Sequence, residues 1–305
     1  MSNFHHVTVL LEQTVAALGA KPGSVYLDGT SGGGGHTALL LEQMDQQGAL
    51  YAMDRDPDAI ANLQQKFQDK PAVQIIHGNF FDAKQLLPDV KLDGVLLDLG
   101  VSSHQLDTDH RGFSYHREAP LDMRMSQTGQ TAAELVNTLP EQDLADMFFF
   151  LAQEKFSRPI ARVIVNTRAQ APIETTTQLA EIIANAVPPA ARRNGHPARK
   201  TFMALRYALN GELDGLEQAL LDLFGMLNSG GRMAVITFNS LEDVAVKRIT
   251  KQLTAGCVCP GDFPVCRCGI TPKAKVPKKP VLPSAQELAQ NPRARSAKLR
   301  SLEKL

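Results

Sequence analysis

Short apolar runs alternate with helical stretches over the first hundred residues, and the same rhythm returns near the other end of the chain. The runs predict strands at residues 25–27, 49–53, 73–76, 94–97 and 232–238. Such alternation is typical of an α/β protein with a mostly parallel sheet and helices on both faces. The ligand crevice of such a sheet lies at the carboxyl ends of its strands. We therefore look for functional residues at those ends.

The strand rhythm stops in the middle of the chain, where prolines separate four helical segments. These segments are residues 131–138, 141–153, 160–167 and 177–187. We predict a main domain in two parts, residues 1–106 and 211–305, with a helical substrate-recognition insertion at residues 107–210. The stretch at 107–126 lacks a long apolar run and is predicted to be a loop near the active site, because loops beyond about 15 residues often bind ligands.

Four successive glycines, residues 32–35, separate the first predicted strand from a helical stretch at 37–44. Glycines let a backbone approach a ligand where a Cβ would collide with it. Asp54 follows 19 residues after Gly35, at the end of the second strand, where a carboxylate can accept both ribose hydroxyls of an adenosine. Gly33, Gly35 and Ala38 also satisfy the dinucleotide spacing G-x-G-x-x-A, so the loop alone is consistent with two kinds of cofactor.

The charge of Asp28, at the end of the first strand, favours one of these cofactors. A dinucleotide would bring its pyrophosphate close to that carboxylate, which would repel it. S-adenosylmethionine instead carries a sulfonium and an ammonium group, and an acid stabilises both. The residues therefore favour a methyl-donor site, with an NAD-dependent oxidoreductase as the alternative.

The composition is that of an ordinary soluble protein, with 43% hydrophobic and 21% charged residues. Neither a signal core nor a run of membrane-spanning length is visible, so we expect a cytoplasmic protein without a membrane partner. The formal charge is zero, yet residues 271–305 carry nine basic and two acidic residues, a net charge of +7. A second basic cluster contains Arg192, Arg193, Arg199 and Lys200 around His196. Two such patches favour a nucleic acid over a small molecule as substrate.

The residues that follow the third and fourth strands suggest the chemistry. Phe80 can lie against adenine. Asp98 is predicted to contact the methyl donor or a target amine, and Ser102 or Ser103 to shape a base pocket. An exocyclic amine is a poor nucleophile, so the site must hold its nitrogen in line with the donor methyl group. Methylation of a ring carbon would need a cysteine nearby.

All four cysteines lie in one later segment, as two C-x-C pairs with six residues between them: Cys257, Cys259, Cys266 and Cys268. Their position argues for amine chemistry at the site. Four thiolates can bind zinc, but the usual knuckle has two residues within each pair. We therefore predict reduced thiols in a substrate loop and no metal.

Several motifs together resemble one family, the bacterial 16S ribosomal RNA (cytosine-N(4))-methyltransferases of the MraW family, which modify a decoding-centre cytosine of the small subunit. The motifs are HVTVLL at 6–11, DRDP at 54–57, LLDLGVSS at 96–103, RGFS at 111–114, PLDMRM at 120–125, HPARKTFMALR at 196–206, SLED at 240–243 and NPRARSAKLR at 291–300. This chain departs from the family pattern at residues 30–33 of the glycine loop, at Asn239, where a His is common, and at Val244, where an Arg is common.

The resemblance implies a class I S-adenosylmethionine methyltransferase core with an inserted all-helical domain, acting on 16S rRNA within the small ribosomal subunit. It implies a donor site lined by Gly34, Gly35, His36, Asp54, Phe80, Asp98 and Gln105, of which His36 and Gln105 rest on the resemblance alone. The RNA-binding candidates are Arg111, Arg192, Arg193, His196, Arg199, Lys200, Arg293 and Arg295. A further alternative is a non-catalytic RNA-binding or assembly factor of the small subunit.

Overall fold

A computed structural model describes residues 8–259 and 267–305, so the start of the first motif (His6 and Val7) and Cys266 lie outside the described residues. The chain forms two compact units. Unit 1 contains Met1–Gly100 and Gly215–Leu305, and unit 2 contains Val101–Asp214. The observed division places residues 101–106 and 211–214 in unit 2, whereas the sequence-based boundaries assign them to the main domain. At the second boundary an ion pair of 2.8 Å joins Arg206 to Glu212 within unit 2.

Unit 1 is built on one seven-stranded sheet in the order β3-β2-β1-β4-β5-β7-β6. The strands are β1 (Val25–Asp28), β2 (Ala49–Asp54), β3 (Val73–His77), β4 (Leu92–Asp98), β5 (Leu227–Thr237), β6 (Ala274–Lys275) and β7 (Lys298–Lys304). The pairs among β1 to β5 are parallel, and β7 is antiparallel to both of its neighbours. All five predicted strands are observed, and the predicted fold class, a mostly parallel α/β sheet, is confirmed.

The helices follow the chain in three groups. Unit 1 contributes α1 (Leu11–Leu18), α2 (Gly35–Gln43), α3 (Pro57–Lys66) and α4 (Ala83–Leu86). Unit 2 contains α5 (Ser103–Asp107), α6 (Ala132–Thr138), α7 (Glu141–Ala152), α8 (Ser157–Arg168), α9 (Thr176–Ala186) and α10 (Ala198–Asn210). The chain then returns to unit 1 with α11 (Leu216–Met226), α12 (Ser240–Thr254) and α13 (Ala285–Gln290). Among the described residues, no helix has both the length and the apolar character needed to cross a membrane.

The centre of the sheet is apolar on both faces, as expected for parallel strands covered by helices. Four residues of β4, Leu92, Val95, Leu96 and Leu97, are fully buried. Gly94 of β4 lies beside Tyr26 of β1, and a Cβ at Gly94 would come within 2.5 Å of the Tyr26 ring. The close packing brings β1 and β4 together side by side, and their last residues are Asp28 and Asp98.

Unit 2 has its own apolar core, formed where α7, α8, α9 and α10 meet. The four helices predicted for this region are observed, and two of them begin with capping boxes, Thr131 with Glu134 and Thr175 with Gln178. Such reciprocal bonds satisfy amides that a helix start leaves without partners. Helix α10 was not predicted, because its first turn coincides with the basic cluster.

Residues 271–305, the more basic of the two patches in the sequence, contribute two strands to the sheet. Strand β7 is integral to the sheet, and several of its cations hold the fold together. Arg300 lies 2.6 Å from Asp243, and Lys275 of β6 lies 2.6 Å from Glu303. Lys304 donates to the carbonyl oxygen of Leu227 at 2.6 Å. Part of this positive charge is therefore paired within unit 1.

The SLED motif at residues 240–243 begins helix α12. Helix α12 is capped by Asn239, whose side chain accepts from the Leu241 amide at 2.9 Å, and not by Ser240, the first residue of the SLED motif. Glu242 completes the capping box by accepting from the Phe238 and Asn239 amides. The residue that departs from the family pattern at 239 therefore has a clear local function.

Candidate active site

Three aspartates end three adjacent strands of unit 1: Asp28 on β1, Asp54 on β2 and Asp98 on β4. Thr30 connects two of them. Its amide donates to Asp28 Oδ1 at 3.2 Å, and its hydroxyl oxygen accepts from the Asp98 amide at 2.6 Å. The sequence did not single out Thr30 for this role. Its hydrogen bonds align the ends of β1 and β4 at the edge where a ligand of this fold binds.

Asp28 is fully buried and bonded to the glycine loop. Its Oδ2 accepts from the Thr37 hydroxyl at 2.7 Å, and its main-chain oxygen accepts from the Ser31 hydroxyl at 3.1 Å. Burial raises the pKa of this carboxyl to about 6, against the opposing effect of these donors. Asp28 therefore shapes the loop and at neutral pH places a negative charge beside it.

Asp54 accepts hydrogen bonds from main-chain amides, including Gly32 N at 2.8 Å and Asp56 N at 2.9 Å, one on each carboxylate oxygen. The Arg55 amide is a further main-chain donor to this carboxylate. Burial raises the pKa of Asp54 to about 6. Main-chain amides thus hold the Asp54 carboxylate in place at the end of β2.

Asp98 is the most perturbed of the three. Its Oδ1 is buried and has no hydrogen-bond partner among the described residues. Burial, reinforced by the charges of Asp28 and Glu242, raises the pKa of Asp98 to about 8. A buried oxygen without a partner is rare and costly, and it marks a place where a ligand's donor or cation would be stabilised.

The glycine loop is fixed largely by protein contacts. At Gly34, with φ of 69°, a Cβ would lie 2.9 Å from Phe67 of the neighbouring segment, and at Gly35 it would overlap the Thr8 side chain. Lys66 donates to the carbonyl oxygens of Gly33 and Gly34 at 2.9 and 2.8 Å. Two of the four glycines are therefore required by close protein packing, in addition to any ligand. Gly32, with φ of 50°, has open space around it.

Two further residues assigned to the donor site lie in unit 1. His36 is buried in the first turn of α2. Phe80 is half-buried in the short 3-10 helix Phe80–Asp82, which Asn79 caps by accepting from the Phe81 amide at 3.2 Å. The Phe80 ring meets that of Phe81 edge to face, with centroids 4.8 Å apart. Its partial exposure leaves ring surface available for a planar ligand group.

Ser102, Ser103 and Gln105 belong to unit 2, at the start of α5. The Ser102 hydroxyl oxygen accepts from the Gln105 amide at 3.1 Å, and the Gln105 side-chain oxygen accepts from the Ser102 amide at 3.0 Å. Ser103 is the first residue of the helix. Ser102 and Gln105 thus form the capping box of α5, and their hydrogen bonds fix the conformation of the polar segment that follows β4.

One RNA-binding candidate is wrong. Arg111 is only 3% exposed, and its Nη2 donates to the main-chain oxygens of Arg124 and Met125 at 2.9 and 3.0 Å. Its guanidinium lies over the Phe113 ring at 5.9 Å. Arg111 therefore organises the long connection at residues 107–126 from inside unit 2, instead of presenting its charge to a phosphate.

We predict that Arg111→Ala destabilises unit 2 by about 2–3 kcal/mol, because it leaves two carbonyl oxygens without their buried donor. Urea denaturation followed by circular dichroism measures the change. The matched control is Arg199→Ala, which removes an exposed guanidinium on α10 and should shift the free energy of unfolding by less than about 0.5 kcal/mol. Equal stability of the two variants would contradict the buried role of Arg111.

Two RNA-binding candidates of unit 2, His196 and Arg199, lie near Tyr115. The His196 ring stacks on Tyr115, with centroids 4.6 Å and planes 19° apart, and His116 lies against the same tyrosine at 4.4 Å. Burial and the nearby His116 lower the pKa of His196. Arg199 is exposed, and its charge acts on Tyr115. Tyr115, His116, His196 and Arg199 are called the His196 cluster below; the sequence pattern did not single out Tyr115.

The remaining basic candidates are distributed more widely. Arg192 donates to the Val187 carbonyl oxygen at 3.0 Å, and Lys200 donates to that of Gln153 at 2.9 Å. The side chain of Arg193 lies outside the described part of the chain. Arg293 and Arg295 are exposed in the 3-10 helix Pro292–Ser296 of unit 1. Among the RNA-binding candidates whose side chains the structure describes, Arg192, Arg199, Arg293 and Arg295 are exposed arginines.

The sheet order, the glycine loop and the acidic strand ends together define the class I S-adenosylmethionine methyltransferase fold, as predicted. A family model described as "MraW methylase family" matches residues 3–305. The chain belongs to this family, which confirms the resemblance seen in its motifs.

Curated relatives agree along the whole chain. A "Ribosomal RNA small subunit methyltransferase H" of Geobacter sp. (strain M21) is 47% identical over 312 residues, covering 100% of both chains. A protein of the same description from Brevibacillus brevis is 46% identical and covers 99% of both. Among solved structures, a putative rRNA-methylase from Clostridium thermocellum covers 98% of this chain and 99% of its own, with a TM-score of 0.45 and 15% identity. That last similarity is too low to add to the assignment.

Proposed function

We propose that this chain transfers a methyl group from S-adenosylmethionine to the exocyclic N4 of a decoding-centre cytosine in 16S rRNA of the small ribosomal subunit. At the coarser level, this member of the MraW methylase family is an S-adenosylmethionine-dependent ribosomal RNA methyltransferase. The particular nucleotide, its N4 atom and the assembled small subunit as substrate are the finer parts of the proposal. They rest on the resemblance and on the chemistry of the site.

The observation that carries the donor assignment is the set of three carboxyl groups at neighbouring strand ends. The Asp54 charge contributes to the raised pKa of Asp28, and the Asp28 charge to that of Asp98, so the three carboxyls interact electrostatically. Bringing a pyrophosphate to this edge would add negative charge where protein charges already repel one another. A cationic ligand relieves that repulsion. The site therefore fits S-adenosylmethionine and opposes a nicotinamide dinucleotide.

The donor, when bound, supplies an electrophilic methyl group on a positively charged sulfur. We assign Asp54 to the ribose hydroxyls, because main-chain amides hold its carboxylate at the end of β2, where the acidic residue of this kind of fold binds a ribose. Phe80 offers a half-buried ring for the adenine, and Asp98 offers the unpartnered Oδ1. Gly34, Gly35 and His36 form the turn into α2, and Gln105 completes the set proposed from the resemblance.

Amine methylation suits the residues at hand. The amine of cytosine is weakly nucleophilic because its lone pair is delocalised, and an acceptor for its hydrogens localises that lone pair. Asp98 and the hydroxyls of Ser102 and Ser103 are the acceptors we propose. The cysteines of the described residues all lie after α12, away in sequence from the strand ends, so none is placed there to attack as a ring-carbon mechanism needs.

The deciding experiment compares 16S rRNA from cells with and without this chain by nuclease digestion and mass spectrometry. We expect one N4-methylated cytosine to lose its methyl group in the absence of the chain and to regain it when purified protein, donor and small subunits are combined. Binding to small subunits without methylation would instead support the assembly-factor alternative. Calorimetric titration with NAD and with S-adenosylmethionine tests the oxidoreductase alternative. We expect S-adenosylmethionine to bind more tightly, whereas an oxidoreductase would bind NAD more tightly.

We predict that Arg199→Ala weakens binding to small-subunit RNA and lowers the slope of log affinity against log salt by about one, because one phosphate contact is lost. The exposed position of Arg199 beside the stacked rings of the His196 cluster motivates this assignment. Fluorescence anisotropy at several salt concentrations measures the slope. Arg162→Ala, which removes an exposed arginine of α8 paired with Glu141, is the control and should leave the slope unchanged. An unaltered slope in the Arg199 variant would refute the contact.

A further inference from the structure

Three cysteine sulfurs converge after α12, although the sequence favoured unliganded thiols there. The sulfur atoms of Cys257, Cys259 and Cys268 all lie within 4.8 Å of one another, and those of Cys257 and Cys268 are 3.7 Å apart. No disulfide joins these three residues. Cys266, which completes the second C-x-C pair, lies outside the described residues and is not among the ligands assigned below.

The separation of these sulfurs matches a metal site. A Zn–S bond of about 2.3 Å in a tetrahedral site places neighbouring sulfurs about 3.8 Å apart. The Cys257–Cys268 separation of 3.7 Å is close to that edge and well above the S–S bond length of about 2.05 Å in a disulfide. The short C-x-C spacing is unfavourable for zinc when one C-x-C pair must form a knuckle by itself. Here the ligands come from two separate stretches, residues 255–259 and 267–273, which are called the two arms below.

The two arms have no apolar packing that would bring the sulfurs together. The segments 255–259 and 267–273 contain no helix or strand, and none of their residues is buried. Val258 is 68% exposed, and Ile270 is 41% exposed. The nearest buried residues are Leu253 before the first arm and Ala274 after the second. Segments without a core of their own are commonly held by disulfides or by a metal.

The backbone around the sulfurs supports a thiolate. The Arg267 amide donates to Cys259 Sγ at 3.3 Å. Hydrogen bonds from outside the ligand set orient metal ligands and balance their charge. At the base of the two arms the Lys273 amide donates to the Leu253 carbonyl oxygen at 2.7 Å, which closes the segment into a loop. Cys257 and Cys268 thus face each other across a closed loop.

We propose that Cys257, Cys259 and Cys268 are ligands of a structural Zn²⁺ ion that holds the loop between α12 and β6. Soft thiolates in a tetrahedral arrangement select zinc over the harder magnesium or calcium ions. The ion replaces the apolar core that the two arms lack. This site is separate in sequence from the aspartates at the strand ends, and the proposal does not depend on the identity of the methylated nucleotide.

The test uses the full-length chain, purified without a histidine tag or chelator, and measures metals by plasma mass spectrometry and by native mass spectrometry. We expect about one zinc per chain, and at least about a tenfold loss in the Cys257→Ser/Cys268→Ser double variant. Val258→Ser is the matched control, because it changes an exposed side chain between two ligands; it should keep its zinc. Replacement by Co²⁺ should give the sulfur-to-metal charge-transfer and intense ligand-field bands of a tetrahedral thiolate site.

A second measurement establishes that the double variant is folded. Its affinity for S-adenosylmethionine should stay within about twofold of that of the parent, because the loop contributes no residue to the proposed donor site. Limited proteolysis should then cut the loop faster in the variant and in chelator-treated parent protein. A parent chain that contains no zinc and takes none up, zinc that persists in the double variant, iron or copper in place of zinc, or a disulfide within the cluster would each overturn the proposal.

Discussion

Replacing Asp98 with alanine will lower methyl transfer by at least about 100-fold while the protein stays folded. Asp98 ends β4 with a buried Oδ1 that has no hydrogen-bond partner among the described residues. Its removal therefore takes away an acceptor for the donor or the target amine without breaking a bond of that oxygen within the described fold. Single-turnover transfer from labelled S-adenosylmethionine to small subunits measures the loss.

The matched control is Asp93→Asn, at the other end of the same strand. Asp93 accepts from the Val25 amide and from Asn228, both at 2.9 Å, so its role is structural. That variant should unfold more easily yet transfer methyl groups at close to the parent rate per folded molecule. Near-normal turnover of Asp98→Ala, or equal losses in the two variants, would exclude the proposed role of Asp98.

The affinity for S-adenosylmethionine will rise between about pH 6.5 and 7.5, with a slope approaching tenfold per pH unit. In the protein without donor the pKa of Asp98 is raised to about 8, so the carboxyl is mostly protonated in this range. A bound cation favours the ionised form, so binding releases a proton and strengthens as pH rises towards that pKa. Asp28 and Asp54, each with a pKa of about 6, contribute mainly at lower pH.

Calorimetry in two buffers with different ionisation enthalpies measures the released proton directly. The range stops at pH 7.5 because the α-amino group of the donor begins to lose its own proton near pH 7.7–8.0. Asp98→Asn should bind more weakly with a nearly flat profile. The same slope in parent and variant would show that another group titrates.

The folded protein without donor has a related pH dependence. A carboxyl whose pKa is higher in the folded than in the unfolded chain stabilises the fold fully below about pH 4, and that stabilisation is lost as pH rises through the folded pKa. For Asp98 the loss continues up to about pH 8. Asp98→Asn should therefore be more stable than the parent at pH 8, by about 1–3 kcal/mol, and that result would show that removing the Asp98 charge does not unfold the protein.

The strands and site residues of the main domain were predictable because the sequence features that indicate them lie within a few residues of one another. The runs that became β1 to β4 are short and apolar, and the aspartates that matter follow those runs directly. Asp54 and Asp98 could thus be placed at one edge of a sheet from the order of residues alone. The glycine loop was also recognised, although part of its need for glycine comes from Phe67 and Thr8, which only the folded chain brings near.

Features that depend on distant partners were not predictable. Strand β7 buries Leu299 and Leu302, three positions apart, so it lacks the alternation by which an isolated strand is recognised. Arg111 looked like a phosphate ligand, because nothing in its neighbourhood shows that carbonyl oxygens 13 and 14 residues later would surround it. The stacking of Tyr115 on His196 joins residues 81 positions apart. In each case the surroundings of the side chain are formed by residues that are distant in the sequence.

The division of the chain has a consequence for biosynthesis. Unit 2 is one uninterrupted stretch, Val101–Asp214, whereas the sheet of unit 1 needs both Met1–Gly100 and the residues that follow Asp214. Since β7 lies between β5 and β6, the sheet cannot be completed until residues 298–304 have left the ribosome. We therefore expect unit 2 to fold while the nascent chain is still emerging. Until β5 pairs with β4, the edge of β4 stays exposed and prone to aggregation, so we expect chaperones to protect it.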